Sequence, residues 1–485
     1  MNINMTFHMP NILPALPEIF VFSMACAILV LDLFLSERLR AVSYWLAQAT
    51  LAGAVLLTLK VMTAAPVFTF NGMFVADRLA DFLKLGTYGI TFFVFAYSRD
   101  YLRDRGMFRG EYFVLGLLGV VGMMIMASAS HFLTLYLGLE LLSLSLYAMI
   151  AFQRDSAVAT EAAMKYFVLG AIASGMLLYG MSMLYGATGS LEISAVSRAI
   201  GKMSPDNIIL IFGLVFVISG LAFKMGAVPF HMWVPDVYHG APTAVALYIG
   251  TAPKLAGFAL FLRLLVGGLE PLAGSWQAML IIIALLSMAL GNIVAIAQDN
   301  IKRMLAYSSI SHMGFFLLGI LSAGANGYGS SLFYILVYAI MSAGSFGMII
   351  LLSRAGFEAE RLEDFKGLNQ RSPWHAFLMM LLMLSMAGVP PTAGFYAKLL
   401  VIQSVIQADM IWLAIAAVLL AVIGAYYYLR VIKLMYFDDA TEHAPIRAGW
   451  DVQALMSFNA LLLIGVLPWV GVIMELCRQA IKTLS

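Results

Sequence analysis

Four charged residues stand inside stretches that are otherwise apolar: Glu140, Lys224, Lys254 and Lys398. Glu140 lies in the run 131–152, Lys224 in 207–238, Lys254 directly after Pro253 in 242–265, and Lys398 in 374–407. Carboxylates and amines take up and release protons, and burial away from an opposite charge disfavours their charged forms. Only one of the four is acidic, so at least two of the lysines lack a permanent carboxylate partner in the interior. Such a lysine is neutral or charged according to its neighbours, which is what a proton carrier requires. The competing explanation is a set of ion pairs that fix helix packing. Glu140 with Lys224 fits it, whereas the excess of lysines does not. Three further residues are relay candidates: Lys165, about one turn into 162–186; His312, in Ser308-Ser309-Ile310-Ser311-His312; and His231, seven residues after Lys224. A lone histidine in such a place is equally a hydrogen-bonded packing residue.

The elements that carry these residues follow from composition. The chain has 485 residues, 62% hydrophobic and 11% charged, against about 45–50% apolar and about 25% charged for a soluble domain. A spanning helix takes about 20 apolar residues, so the apolar content is enough for about fourteen. This excludes a soluble enzyme, a nucleic-acid binder and a disordered scaffold. Cys26 and Cys477 are the only cysteines, so neither a disulfide framework nor an iron–sulfur cluster held by this chain is expected. No G-x-x-x-x-G-K-[ST], G-x-G-x-x-G or H-x-x-x-H occurs, so no nucleotide, cofactor or metal site is expected.

The apolar runs are 13–35, 42–64, 78–97, 111–128, 131–152, 162–186, 207–238, 242–265, 276–297, 302–322, 327–353, 374–407, 410–437 and 452–475. Each is expected to be a helix, because in lipid only helices and closed barrels satisfy backbone polar groups, and the runs do not alternate as barrel strands do. The first run is too long for a signal-peptide core and reads as a retained span. With the amino terminus outside, fourteen Lys and Arg fall in inner loops, Arg99, Arg103, Arg105 and Arg447 among them, against five in outer loops, including Arg263. The positive-inside rule favours that orientation, with both termini outside. Lys60, Arg78, Lys84, Arg430 and Lys433 are assigned to the membrane interface, Tyr426, Tyr427 and Tyr428 to an aromatic belt, and His131 to a helix cap or the interface.

Runs seven and twelve are too long for one crossing and carry breakers at their centres: Gly226 and Pro229 in the one, Gly388 and Pro390 in the other. The two prolines are 161 residues apart (390 minus 229), and runs four and nine start 165 apart (276 minus 111). A near-constant offset is what an internal repeat produces. Five helices per repeat is an odd number, so the second copy is inverted, a transporter pattern in which paired broken helices mark the transport path. The expected organisation is an all-α polytopic membrane protein of fourteen transmembrane helices. Residues 1–107 form a three-helix segment, 108–272 and 273–437 the two inverted five-helix repeats (helices 4–8 and 9–13), and 438–485 the last helix.

At this point the residues meet a family. Phe223-Lys224-Met225-Gly226-Ala227-Val228-Pro229-Phe230-His231 resembles the antiporter-like membrane subunits of respiratory complex I and the Mrp-type sodium/proton antiporters. Asp236-Val237-Tyr238-His239-Gly240-Ala241-Pro242 is similar to the subunit N branch, where the antiporters typically show Asp-Ala-His. Leu137–Ser143, Asn300–His312 and Gly394-Phe395-Tyr396-Ala397-Lys398 extend the likeness along essentially the whole chain. The resemblance implies that Glu140, Lys224, Lys254 and Lys398 carry a proton path in a multi-pass subunit of the cell inner membrane. It implies membrane partners, namely a neighbouring antiporter-like subunit and the small quinone-side subunits, and a peripheral arm where NADH, FMN, iron–sulfur clusters and quinone are handled, none of them by this chain. The function implied is proton translocation coupled to electron transfer from NADH to quinone. The alternatives are a free-standing Mrp-type cation/proton antiporter and a scaffold that moves no ions.

Overall fold

The computed structural model describes residues 10–204, 206–440, 446 and 449–482. Arg447 and both chain termini lie outside the described residues. The chain folds as α1 (Leu16–Asp32), α2 (Ala41–Val61), β1 (Val67–Thr69), β2 (Phe74–Ala76), α3 (Arg78–Asp104), α4 (Gly110–Ala127), α5 (Phe132–Ile150), α6 (Ala157–Thr188), α7 (Ile193–Ile200) and α8 (Ile208–Met225). It continues with α9 (Trp233–Gly240), α10 (Thr243–Ile249), α11 (Ala252–Phe261), α12 (Ala273–Ile296), α13 (Ile301–Leu321), α14 (Gly324–Leu352), α15 (Leu368–Arg371), α16 (Pro373–Ala387), α17 (Ala393–Gln407), α18 (Ile411–Phe437), α19 (Trp450–Gly465) and α20 (Val470–Ile481). Among the described residues, twelve helices are long and apolar enough to cross a membrane, and the bent pair α19–α20 makes a thirteenth if counted as one span. α16 and α17 are shorter apolar helices in the place of the twelfth run. The chain is thus an all-α membrane protein, with one small antiparallel hairpin, β1–β2, in register Val67 to Ala76.

The helix starts are set by polar residues between the apolar runs. Asp77, His131, Ser156, Asn207 and Asn300 each accept a backbone N–H of the first turn, of α3, α5, α6, α8 and α13 respectively. Such caps satisfy donors that the helix itself leaves free. The centre of the molecule is α10–α11, α13 and α14, whose spans are almost wholly buried, while α6 and α18 present apolar side chains such as Ile172, Tyr179, Leu419 and Val422 outward. An apolar exterior of this kind faces lipid or other subunits rather than water.

Both long runs are interrupted. α8 ends where Gly226 takes φ +76°, and α16 ends where Gly388 takes φ +85°. Each closes in the same way: the N–H of Ala227 donates to Ala222 O at 2.8 Å, and that of Val389 to Leu384 O at 3.0 Å. This is the left-handed helix stop that glycine adopts without steric cost. Pro229 and Pro390 lie within the non-helical stretches that follow.

Three sets of residues are placed differently from expectation. Lys84 is not at an interface but fully buried, its Nζ 2.6 Å from Glu18. Arg263 is not in a loop: it is buried and holds Asp77 through two bonds of 2.7 and 2.9 Å. Tyr426 is exposed, but Tyr427 and Tyr428 are buried, so the belt reduces to one residue. In each case a polar group near a run's end has found an interior partner, and run-end position alone does not distinguish that from snorkelling to the surface.

Candidate functional site

The first break gathers Glu140, Lys224 and Lys254. Glu140 and Ser143 are a turn apart on α5, and Ser143 turns to Lys224, whose Nζ donates to its Oγ at 2.7 Å. Glu140 accepts a hydrogen bond from Ser174 on α6. Ser143, Ser174 and Lys224 line one cavity of about 10 Å³ between α5, α6 and α8, the room of roughly one water. The acid and the lysine thus each have a serine hydroxyl as partner across one small cavity, Ser174 for Glu140 and Ser143 for Lys224.

Lys254, near the start of α11, points to the end of α8: its Nζ donates to Met225 O at 2.8 Å and lies 5.9 Å from the Trp233 ring. Trp233 is itself held by Phe223 O at 3.0 Å and stacks on Tyr166. The second break repeats the device with a different donor. Lys398 on α17 donates to Met386 O and Ala387 O, both at 2.9 Å, and lies 5.0 Å from the Phe315 ring. A helix that stops inside the bundle leaves its last carbonyls without partners and carries partial negative charge at that end. Lys254 and Lys398 answer both needs, which is how two buried lysines persist with no carboxylate. The Ser287 hydroxyl on α12 accepts the Val228 N–H at 2.9 Å, tying the first break to the second half of the chain.

His312 lies between the breaks on α13. Its Nδ1 is 2.6 Å from the Tyr334 hydroxyl and its Nε2 is 3.1 Å from that of Tyr428, which also bonds Ser308 at 2.5 Å. Tyr334 stacks on Phe315, the ring beneath Lys398. His231 sits in the non-helical stretch after α8, half-buried, and its Nδ1 has no hydrogen-bond partner among the described residues. Lys165 stands apart from this group. It is exposed at the end of the molecule that bears Arg99, Arg103 and Arg105, and pairs with Glu161 at 2.8 Å and Asp236 at 2.9 Å.

Several participants were not foreseen. Tyr334, Tyr428 and Ser308 complete the surroundings of His312; the spacing of Ser308 and His312 on one helix face was the only signal for any of them. At the arginine-rich end a 690 Å³ pocket is lined by His239, Asn300, Glu360, Arg361 and Arg430 among others. Behind it Lys302 is buried, donating to Ala241 O at 3.0 Å. Burial, reinforced by Lys302, pushes the His239 imidazole below its usual value. Burial raises the Asp236 carboxyl, but hydrogen bonds from Lys165 and Arg303 outweigh it and hold the group below the usual carboxylate value.

Broken helices capped by buried lysines define an antiporter-like membrane subunit, and comparison with known proteins agrees. The family model described as NADH:quinone oxidoreductase/Mrp antiporter, TM, matches residues 129–424. NADH-quinone oxidoreductase subunit N of Thioalkalivibrio sulfidiphilus is 62% identical over 481 residues, 99% of this chain and 100% of that one. A chain of respiratory complex I from Thermus thermophilus superposes with a TM-score of 0.81 at 29% identity, over 95% of this chain and 98% of its own. A chain of the Mrp complex from Dietzia sp. DQ12-45-1b reaches the same TM-score of 0.81 at 22% identity, over 97% of both, and shares the fold. The chain belongs to the NADH:quinone oxidoreductase/Mrp antiporter membrane family, within its NADH-quinone oxidoreductase subunit N branch.

Proposed function

We propose that this chain translocates protons as a membrane subunit of NADH-quinone oxidoreductase, using Glu140, Lys224, Lys254 and Lys398 as its proton-carrying groups with His312, His231 and Lys165 in support. The observation that carries the reading is that Lys254 and Lys398 are held by the carbonyls of broken helices rather than by carboxylates. A carbonyl cannot take the proton and carries no full charge, so each lysine stays able to release its proton. Protons reach Lys224 from the arginine-rich side, move through Lys254 and His312 to Lys398, and leave on the opposite side. Glu140 supplies the one negative charge among these four groups.

The finer topology belongs to the same proposal: fourteen crossings, with α16–α17 and α19–α20 each counted as one, inverted repeats over 108–272 and 273–437, a three-helix segment over 1–107 and a last helix over 438–485. The arginine-rich end faces inward across the cell inner membrane, and both termini face out. The partners are other membrane-arm subunits, an antiporter-like neighbour and the small quinone-side subunits; NADH, FMN, iron–sulfur clusters and quinone belong to other chains of the complex. The 62% identity to a subunit N, against 22% to the Mrp chain, favours this over free-standing cation/proton exchange.

Purification of the native complex tests the function. Co-elution with flavin- and cluster-bearing subunits, and proton uptake into vesicles driven by NADH, is expected. Cation/proton exchange by a complex without flavin would replace this reading with the antiporter one.

A further inference from the structure

The start of α3 and its neighbours hold charges that the proton row does not use. Lys84 is 1% exposed; its Nζ lies 2.6 Å from Glu18 Oε1 on α1 and 5.3 Å from the Phe74 ring. Asp81, one turn earlier on α3, is 2% exposed. Its Oδ2 has no hydrogen-bond partner, and the residue forms no ion pair, among the described residues. Asp77 is already satisfied: both of its carboxylate oxygens accept from Arg263, at 2.7 and 2.9 Å, and Oδ1 also caps α3 through Ala80 N at 2.8 Å. The remaining titratable group nearby, Tyr88, has its hydroxyl against Thr58 of α2 at 3.3 Å.

The charge inventory of this interior cluster is therefore three carboxylates, Glu18, Asp77 and Asp81, against two cations, Lys84 and Arg263. Asp77 is matched by Arg263 and Glu18 by Lys84. Asp81 is left over. A lone carboxylate taken out of water is so unfavourable that the group binds a proton instead. We propose that Asp81 is a proton-binding site inside the three-helix segment that precedes the family-matched region 129–424.

The Asp81 N–H donates to Asp77 O at 3.0 Å, and Asp77 and Arg263, with Ser130 and Glu192, line a 310 Å³ pocket at the end of the molecule opposite the arginine-rich loops. The proposal is independent of the proton row through Lys224 and Lys398, and its readout is not pumping.

Infrared difference spectroscopy of the assembled complex in H₂O and D₂O tests it. Asp81→Asn, nearly the same shape, should remove one protonated-carboxyl C=O band that shifts in D₂O. Glu18→Gln should remove the same band while leaving the aspartate in place, because Lys84 then has one acid to neutralise. Lys84→Met, if it assembles, should add a band, since Glu18 then loses its cation while Asp81 keeps its proton. No band lost in Asp81→Asn, or a band unmoved by Glu18→Gln, overturns the proposal. A band that is absent in sodium buffer and appears only when sodium is removed also overturns it, by making the site one for a metal cation.

Discussion

Replacing Lys398 by glutamine separates its two roles. As a cap, Lys398 makes two charge-assisted hydrogen bonds of 2.9 Å to Met386 O and Ala387 O. Bonds to a charged donor are worth about 1.5–3 kcal/mol each and neutral ones about 0.5–1.5, so a glutamine amide in the same place forfeits about 2–3 kcal/mol in total. That is a tolerable loss for a helix end otherwise enclosed by α14 and α17, and the complex should still assemble. As a carrier, Lys398 lets an excess proton rest at this depth. Without it the proton meets a charge-burial cost of about 2.5–3.5 kcal/mol, which slows transfer about 70- to 400-fold. The assay is proton uptake per NADH oxidised in vesicles holding the purified complex, with subunit content checked on the same sample. The expected result is assembly near that of the unaltered complex with the chain's contribution to uptake lost. Undiminished uptake per NADH in a fully assembled Lys398→Gln complex would refute the carrier role and leave Lys398 as a cap alone.

Lys224→Ala should also abolish the chain's share of pumping, measured in the same vesicles; unchanged pumping would remove Lys224 from the path. Glu140→Asp retains a carboxylate beside Ser174 and should pump several-fold better than Glu140→Ala, whereas equal losses would argue against a charge role. Tyr428→Phe strips a partner from both His312 Nε2 and Ser308, and each buried group left unpaired costs about 1–3 kcal/mol; a lower midpoint for thermal inactivation is expected, and an unchanged one would mean that the hydroxyl is dispensable. Asp236 has its carboxyl held below the usual value by Lys165 and Arg303, so its tie stabilises the fold above the unfolded-state value and is lost as pH falls through the folded one. The difference in melting temperature between the unaltered complex and Asp236→Asn should therefore be flat at neutral pH and shrink below about pH 4; a difference that grows with acid would reverse the assignment.

The helices and their breaks were legible in the sequence because both are written in single residues: apolar runs are long, and Gly226 and Gly388 stand where a left-handed turn needs glycine. Glu140, Lys224, Lys254 and Lys398 were legible for the opposite reason, since a charge in an apolar run is rare enough to stand out. What was not legible is which interior groups face one another. Lys84 and Arg263 looked like interface and loop residues because they lie near run ends, and only the packing of α1 and α3, and of α3 with the end of α11, brings Glu18 and Asp77 to them. The same limit hid Tyr428, whose neighbours in sequence suggest an aromatic belt and whose neighbours in space are His312 and Ser308. The sequence did pose one question that packing answers: how Lys224, Lys254 and Lys398 remain in the interior with Glu140 the one carboxylate among the four. The answer lies in the breaks themselves. A helix interrupted in the membrane presents unpaired carbonyls that need a donor, and a buried lysine needs acceptors. Met225 O meets Lys254, and Met386 O and Ala387 O meet Lys398. Each defect alone is costly and each is the other's remedy, so a chain that keeps the break must keep a donor there. A charged donor that can also release a proton turns this structural necessity into a step of the transport path.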